Sequence, residues 1–252
     1  MIFNTVIGNA SGRGFPEFTY TGTYQLIDDG VAEDGTQNWR IRFLTSGTLT
    51  FSKLGSGANG MQVFLVGGGG AGAYGGGAGG YTHTSIIFAT VGIAYPILIG
   101  AGGTSWGEAG GQTSAFGQTA DGGNGASGHT GGAGGSGGGG SGDQFANQGG
   151  KGGSDGSDGE TGNYGHNAGG AGQGTTTREF GESTGTLYAG GGSGCPNTTA
   201  GGDGGGGTGL SSYDSTKSNG ATNTGGGGGG VYSSATGTGK GGSGIVVLRN
   251  RR

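Results

Sequence analysis

Glycine recurs at every third position in two successive segments of this chain, and this repeat constrains the fold more than any other feature. From Gly122 the sequence divides as GGN GAS GHT GGA GGS GGG GSG. After the interruption DQFANQ it divides again, from Gly150, as GKG GSD GSD GET GNY GHN. A repeat of three matches a helix with three residues per turn, so the pattern predicts left-handed threefold helices that carry glycine along one edge.

Two structures combine this repeat with an extended backbone. Collagen needs proline or hydroxyproline to stiffen it, but the chain has only 3 prolines, and none lies in either run. The other is a set of single polyglycine-II helices that pack side by side and bond laterally through their backbone N–H and C=O groups. In such a bundle the GGGGGG segment at 225–230 belongs in the middle, and the Ala and Tyr residues of 67–80 mark edges without a packed neighbour. A flexible linker is the alternative reading of so much glycine.

Composition bears on this choice. Of 252 residues 78 are glycine and only 29% are hydrophobic, so one conventional core cannot organise the whole length. Charged residues make up 10% and the net charge is −4, which fits neither a charge-expanded disordered chain nor a nucleic-acid-binding surface. Cys195 is the only cysteine, so no intramolecular disulfide framework can form.

Targeting signals are also absent from the sequence pattern. The start, MIFNTVIGNASGRGF, lacks a basic segment followed by an uninterrupted apolar one, and no window resembles a membrane span. We therefore expect synthesis in the cytoplasm and no membrane insertion.

Outside the glycine tracts the apolar residues alternate with a period of two, which predicts strands with one buried face. In NWRIRFLTSGTLTFSKL, Trp39, Ile41 and Phe43 share a face, and Leu49 and Phe51 share one after a turn at Ser46-Gly47; we expect a hairpin. Further predicted strands are Thr19–Ile27, Met61–Val66, Tyr81–Ala89, Tyr95–Ile99, Gln112–Gln118, Thr186–Ala189 and Gly244–Arg249.

The predicted fold class is therefore all-β: a jelly-roll-like β-sandwich, closed by the C-terminal SGIVVLRN strand, with an inserted bundle of polyglycine-II helices and almost no α-helix. Residues 1–16 are predicted to be an N-terminal arm or attachment segment, and 17–120 plus 185–252 the sandwich. Residues 121–184 form the main glycine-rich insertion, and the tracts at 67–80, 189–209 and 220–244 join the same bundle.

No motif predicts catalysis or a cofactor. The many GxGxxG matches open no βαβ unit, and GTGKGG at 237–242 has Gly241 where a phosphate-binding loop needs Ser or Thr. Cys195 could pair with His83, His129 or His166 as nucleophile and base, but a structural thiol is the simpler interpretation. Asp155, Asp158 and Glu160 could hold calcium, yet their spacing fits neither the EF-hand loop nor the nonapeptide of calcium-binding β-rolls, and exposed rim residues are the alternative. We expect a protein that is not an enzyme and has no cofactor and no metal.

Loops that interrupt the glycine repeat with large or polar residues are candidate recognition sites, because loops held by a rigid scaffold commonly carry binding residues. They are DQFANQ at 143–148, NYGHN at 163–167, LSSYDSTK at 210–217 and VYSS at 231–234. The candidate binding residues are Phe145, Asn147, Tyr164, His166, Tyr213, Asp214 and Tyr232. The alternative is that these loops only reverse the chain between two glycine helices.

A series of motifs in order, NWRIRFLTSGTLTF, MQVFLVGGGGAG, GGYTHT, YPILIGAGG, TSAFG, LYAGGGSG and GGSGIVVLR, resembles the glycine-rich domain proteins of phage and prophage tails from about residue 17 onward. It is also similar to the glycine-rich domain of anaplastic-lymphoma-kinase-type receptors, whose cysteines this chain lacks. In that domain a jelly roll carries a bundle of polyglycine helices. Some phage tip adhesins likewise present receptor-binding loops on stacked polyglycine helices.

The resemblance implies a virion protein of a tail fibre or tail tip, made in the host cytoplasm, that presents loops to a bacterial surface receptor, either an outer protein or a glycan. Other tail or fibre proteins would be further partners, and a homotrimer is one expected assembly because fibre ends are often trimeric. A purely structural virion component, such as a capsid decoration or fibre-assembly protein, and a ligand-binding domain of a cell-surface protein are the alternatives.

Overall fold

A computed structural model describes residues 14–142, 147–153, 156–162, 177–196, 199–232 and 237–252. This part of the chain is all-β, with ten strands in two antiparallel sheets and no α-helix. Its only helical element is a short 3-10 turn at Glu179–Gly181. The all-β expectation is therefore confirmed.

Each sheet has five strands. The first sheet contains, in spatial order, β1 (Glu17–Tyr20), β4 (Gly47–Lys53), β7 (Ala94–Leu98), β8 (Thr113–Ala115) and β9 (Gln118–Ala120). The second contains β2 (Tyr24–Val31), β3 (Gln37–Phe43), β10 (Ile245–Arg249), β5 (Met61–Val66) and β6 (Thr82–Ile87). The C-terminal β10 lies between β3 and β5 and is buried along its whole length, as the sequence predicted for a closing strand.

The core lies between the two sheets, and it corrects the predicted hairpin. Trp39 and Phe43 of β3 and Leu49 and Phe51 of β4 are all fully buried in one cluster. However, β3 pairs with β2 and β10, whereas β4 pairs with β1 and β7. The chain crosses from one sheet to the other between the two strands, so these side chains pack against each other across the core instead of lying side by side.

Three other strand predictions differ from the structure. The segments predicted as Thr19–Ile27 and Gln112–Gln118 each contribute to two strands, β1 with β2 and β8 with β9. A turn at Phe116 and Gly117, both with positive φ, separates the second pair. Thr186–Ala189 is not a strand, because only Leu187 makes an isolated bridge, with Arg178.

The outer face of the second sheet is covered by residues 177–189. Glu179, only 3% exposed at its side chain, pairs with Arg40 and with Arg42 of β3, the latter at 2.6 Å. The Tyr188 hydroxyl also donates to Glu179, and Arg249 of β10 pairs with Glu182 at 2.6 Å. Burial disfavours the charged form of Arg40, but its carboxylate partners outweigh this effect and raise its pKa. This ion-pair network joins the long insertion to the sheet.

The glycine tracts are buried and bonded laterally. Within 67–73 the hydrogen-bond partner changes with a period of three. Gly67, Gly70 and Ala73 donate to 75–81, Gly68 and Ala71 to 108–111, and Gly69 and Gly72 to 239–242. The carbonyls of the same segment accept from 103–107, 123–126 and 228–231. Buried backbone polar groups thus find partners in neighbouring tracts instead of within one helix or one sheet.

The glycine repeat follows from the closeness of these neighbours. A Cβ placed on Gly122, Gly131 or Gly137 would lie 1.9–2.0 Å from a backbone oxygen of another tract. In the second run, a Cβ placed on Gly156, Gly159 or Gly162 would likewise lie 1.7–2.0 Å from a backbone oxygen of another tract. Because a carbon atom cannot approach oxygen so closely, only glycine fits these positions.

Three features of the tracts refine or correct the expectations. The GGGGGG segment at 225–230 is buried, as predicted for the middle of the bundle. Ala71, Ala73 and Ala78 are also fully buried, so the prediction that they mark open edges is wrong. The methyl group of Ala78 lies against Gly134, which has no side chain to oppose it. The run from Gly122 is not one rod, because the chain reverses at Ser127–Thr130.

Candidate functional site

Three glycine tracts leave the sandwich and turn after nearly the same length. Tyr74 is the eighth residue after Val66 at the end of β5, and Trp106 is the eighth after Leu98 at the end of β7. His129 is the ninth residue after Ala120 at the end of β9. Because the three tracts have nearly the same length, their turns lie at about the same distance from the sandwich, at the far end of the tracts.

The side chains at these turns form one aromatic cluster around Tyr74. Its ring stacks on His129 with centroids 4.3 Å apart and meets Trp106 edge to face at 5.0 Å. Tyr232, which follows the buried 225–231 segment, lies 6.1 Å from Tyr74. Trp106 is 38% exposed and Tyr232 46%. We call Tyr74, Trp106, His129 and Tyr232 the aromatic end.

The backbone holds this cluster in place. The Tyr74 N–H donates to Gly128, next to His129, and its carbonyl accepts from the N–H of Cys195. The Trp106 loop is closed by Glu108, whose carboxylate accepts the backbone N–H groups of Thr104 and Ser105 at 2.8 Å. These hydrogen bonds hold the pKa of Glu108 below its usual value, and the bond from the Thr104 N–H contributes most. The exposed Trp106 ring therefore stands on a loop that hydrogen bonds hold in place.

Two of the predicted binding residues lie at or next to this end. Tyr232 is part of the cluster itself. Asn147 donates through Nδ2 to the Ser141 hydroxyl at 3.1 Å, and the same hydroxyl lies 2.9 Å from Nδ1 of His129.

Tyr213 and Asp214 lie in the turn that follows Leu210, which pairs with Val231. The Tyr213 ring packs against Gly237. Asp214 accepts from the N–H and hydroxyl of Thr216, and these bonds lower its pKa. Asp214 thus fits the alternative interpretation, that of a turn residue. Phe145, Tyr164 and His166 lie outside the described residues.

The sequence reasoning missed Tyr74 and Trp106 as binding candidates and considered His129 only as a partner for Cys195. It searched the loops that interrupt the glycine repeat, whereas these residues occupy the middle of glycine tracts. The sequence did hold one sign of the cluster: the number of residues between each aromatic residue and the preceding strand is the same within one residue in three separate tracts.

The described part of the chain gives little support to the metal-binding and catalytic candidates. No group of three His, Cys, Asp or Glu residues there could hold a metal ion. Asp158, one of the calcium candidates, pairs with Lys151 at 2.6 Å, and Asp155 lies outside the described residues. Cys195 is fully buried. None of the described helical segments is long and apolar enough to cross a membrane.

A second surface lies on the sandwich. A groove of about 700 Å³ runs between β6 and the β7 to β9 strands, and Phe88, Tyr95 and Phe116 are among its lining residues. Phe88 is 73% exposed and Ile86 57%. This surface is apolar and lies on the sandwich, away from the aromatic end.

Comparison with known families agrees with the glycine tracts. A family model described as a glycine-rich domain matches residues 45–251, which is most of the chain. The chain belongs to this glycine-rich domain family. The match begins between β3 and β4 and includes the three tracts that carry Tyr74, Trp106 and His129. No curated protein and no solved structure matches the chain significantly.

Proposed function

We propose that the laterally bonded tracts of this glycine-rich domain are polyglycine-II helices and that the sandwich is a jelly roll. Hydrogen-bond partners that repeat every three residues support the threefold helix, and the position of β10 between β3 and β5 supports a jelly-roll topology. With a rise of about 3.1 Å per residue, eight residues carry Tyr74 and Trp106 about 25 Å beyond the sheets.

On this architecture we propose that the protein is a phage virion component, at a tail fibre or tail tip, that binds a bacterial surface receptor through the aromatic end. The observation that carries the proposal is the convergence of four aromatic residues, from four separate segments of the chain, on the end of the bundle farthest from the sandwich. A rigid bundle with partly exposed rings at its far end suits attachment, since preorganised loops lose little entropy on binding. The proposed role needs no cofactor.

Cell binding tests this proposal. Labelled protein should bind cells of particular strains in a broad bacterial panel, and Trp106→Ala and Tyr232→Ala should each lower this binding at least ten-fold. Phe88→Ala is the matched control, because it removes an exposed aromatic ring from the sandwich and should leave binding unchanged. Loss of binding in Phe88→Ala alone would move the site to the sandwich, and no binding to any strain would contradict the adhesin role.

A purely structural virion role is the second candidate, and the apolar groove on the sandwich favours it. Exposed Ile86 and Phe88 are the kind of surface that neighbouring subunits or other tail proteins cover. A decoration protein would be present in many copies per particle, whereas a fibre-tip protein would be present in few. Gel densitometry of purified particles separates the two.

A further inference from the structure

We infer that the receptor recognised by the aromatic end is a surface glycan, with the C–H face of a sugar ring packed against Trp106 and Tyr232. This inference rests on the proposed attachment function and names its substrate class. A saccharide presents polarised C–H groups on one face of its ring, and these groups are attracted to the negative face of an aromatic ring. Its hydroxyl groups need polar partners around that contact.

The kind of surface exposed at the aromatic end favours a sugar over an apolar protein partner. Among the described residues, the large hydrophobic side chains exposed in the cluster are both aromatic, Trp106 and Tyr232. Exposed aliphatic residues occur instead on the sandwich, at positions including Ile86, Val91, Ile93 and Leu98. A protein interface commonly combines aromatic anchors with a continuous apolar core, and the described residues at this end form no such core.

Polar neighbours complete the surface. Ser105 and Thr130 are exposed next to Trp106 and His129 and can donate to or accept from sugar hydroxyls. The carboxylate of Glu108, the nearest acidic group in the Trp106 loop, already accepts hydrogen bonds from Thr104 and Ser105. Among the described residues, this surface therefore offers aromatic rings, hydroxyl groups and one carboxylate that is hydrogen-bonded within its own loop, which suits a neutral polysaccharide.

The order of the cluster supports stacking as the mode of binding. Tyr74 is fixed between the His129 and Trp106 rings, and its backbone bonds to residues of two other tracts. A flat ligand can therefore contact Trp106 without first ordering the loop. Truncation of a ring on which a ligand stacks should consequently weaken binding without unfolding the protein.

An array of purified bacterial surface polysaccharides tests the inference. The probes are lipopolysaccharide O-polysaccharides, capsular polysaccharides and wall teichoic acids, and binding is measured for the full chain and for three variants. We expect binding to at least one neutral polysaccharide, weakened at least ten-fold in Trp106→Ala and in Tyr232→Ala and unchanged in Phe88→Ala. Thermal unfolding of each variant shows that the loss is not caused by misfolding. The inference would be overturned if the full chain bound no polysaccharide, or if Trp106→Ala and Tyr232→Ala bound as well as the unaltered protein.

Treated cells separate this inference from the proposed function. If attachment survives protease treatment of the bacteria and is lost after periodate oxidation of their glycans, the receptor is a glycan. If attachment depends on Trp106 but is destroyed by protease and resists periodate, the receptor is a protein; the glycan inference then fails while the attachment function stands. A chain that binds neither cells nor polysaccharides contradicts both.

Discussion

Replacement of Gly69 by alanine probes the closeness of the glycine tracts. The added Cβ would lie 2.0 Å from the carbonyl oxygen of Gly226, whereas ordinary contact begins at 3.4 Å. The two segments would have to separate by about 1.4 Å to accept it. Gly69 also donates to Gly242 and accepts from Gly103, both at 2.9 Å, so such a shift breaks hydrogen bonds to two other tracts.

The cost follows from these broken contacts. Overpacking of a well-packed interior costs about 1–3 kcal/mol, and each hydrogen bond lost contributes roughly 0.5–1.5 kcal/mol. With two hydrogen bonds lost, they predict a loss of about 2–6 kcal/mol in the free energy of unfolding. For a chain of this size, 1 kcal/mol corresponds to roughly 2–4 °C, so Tm should fall by at least about 4 °C.

Gly153→Ala is the matched control, because Gly153 also lies in a glycine tract but its added Cβ would come no closer than 3.4 Å to any neighbour. We expect it to change the free energy of unfolding by less than about 1 kcal/mol. Urea denaturation followed by circular dichroism measures both variants. Equal stability of Gly69→Ala and Gly153→Ala would refute the argument that contact with neighbouring backbone requires glycine in the tracts.

Three further predictions concern the ion-pair network and the aromatic end. Glu179→Gln should destabilise the fold by about 3–5 kcal/mol in urea denaturation, because Arg40 and Arg42 lose a buried charged partner; exposed Glu33→Gln is the control and should have little effect. The pKa of Glu108 is lowered in the folded protein, so its stabilising hydrogen bonds are fully present above the ordinary value of 4.5 and are lost as the pH falls below it. Acrylamide quenching of Trp106 should therefore increase as the pH falls through the lowered pKa of Glu108, and unchanged quenching would argue against this role of Glu108. At neutral pH acrylamide should quench one of the two tryptophans, since Trp39 is fully buried and Trp106 is 38% exposed; Trp106→Phe should abolish the quenchable fraction.

The strands that the sequence predicted best are those whose signal is local. Met61–Val66 has the predicted bounds, and the alternation in β3 and β4 correctly marks Trp39 and Leu49 as core residues. The same alternation cannot say which sheet a strand joins, because both sheets turn their apolar faces to one core. The predicted hairpin failed for this reason: a crossing between sheets and a turn within a sheet leave the same pattern.

The glycine tracts and the candidate site were also predicted only in part from the sequence. At most positions of the threefold repeat a neighbouring backbone leaves no room for a side chain, with Gly128 and Gly153 as exceptions. The reversal at Ser127–Thr130 keeps the repeat and so is invisible in it. The aromatic end depends on the length of each tract measured from its strand. Tyr74, Trp106 and His129 become a set only when the ends of β5, β7 and β9 are known.

Amide hydrogen exchange in residues 67–80 tests most directly whether the glycine tracts form an ordered scaffold. The N–H groups of this segment donate to backbone carbonyls of the surrounding tracts or, at Gly70 and Ala73, of its own second half. All its residues except Tyr74 are buried. We predict that these amides exchange as slowly as those of the interior strand β5, because both open only when the whole structure unfolds. Exchange at the rate of an unstructured peptide would mean that the tracts are flexible linkers and would contradict the account.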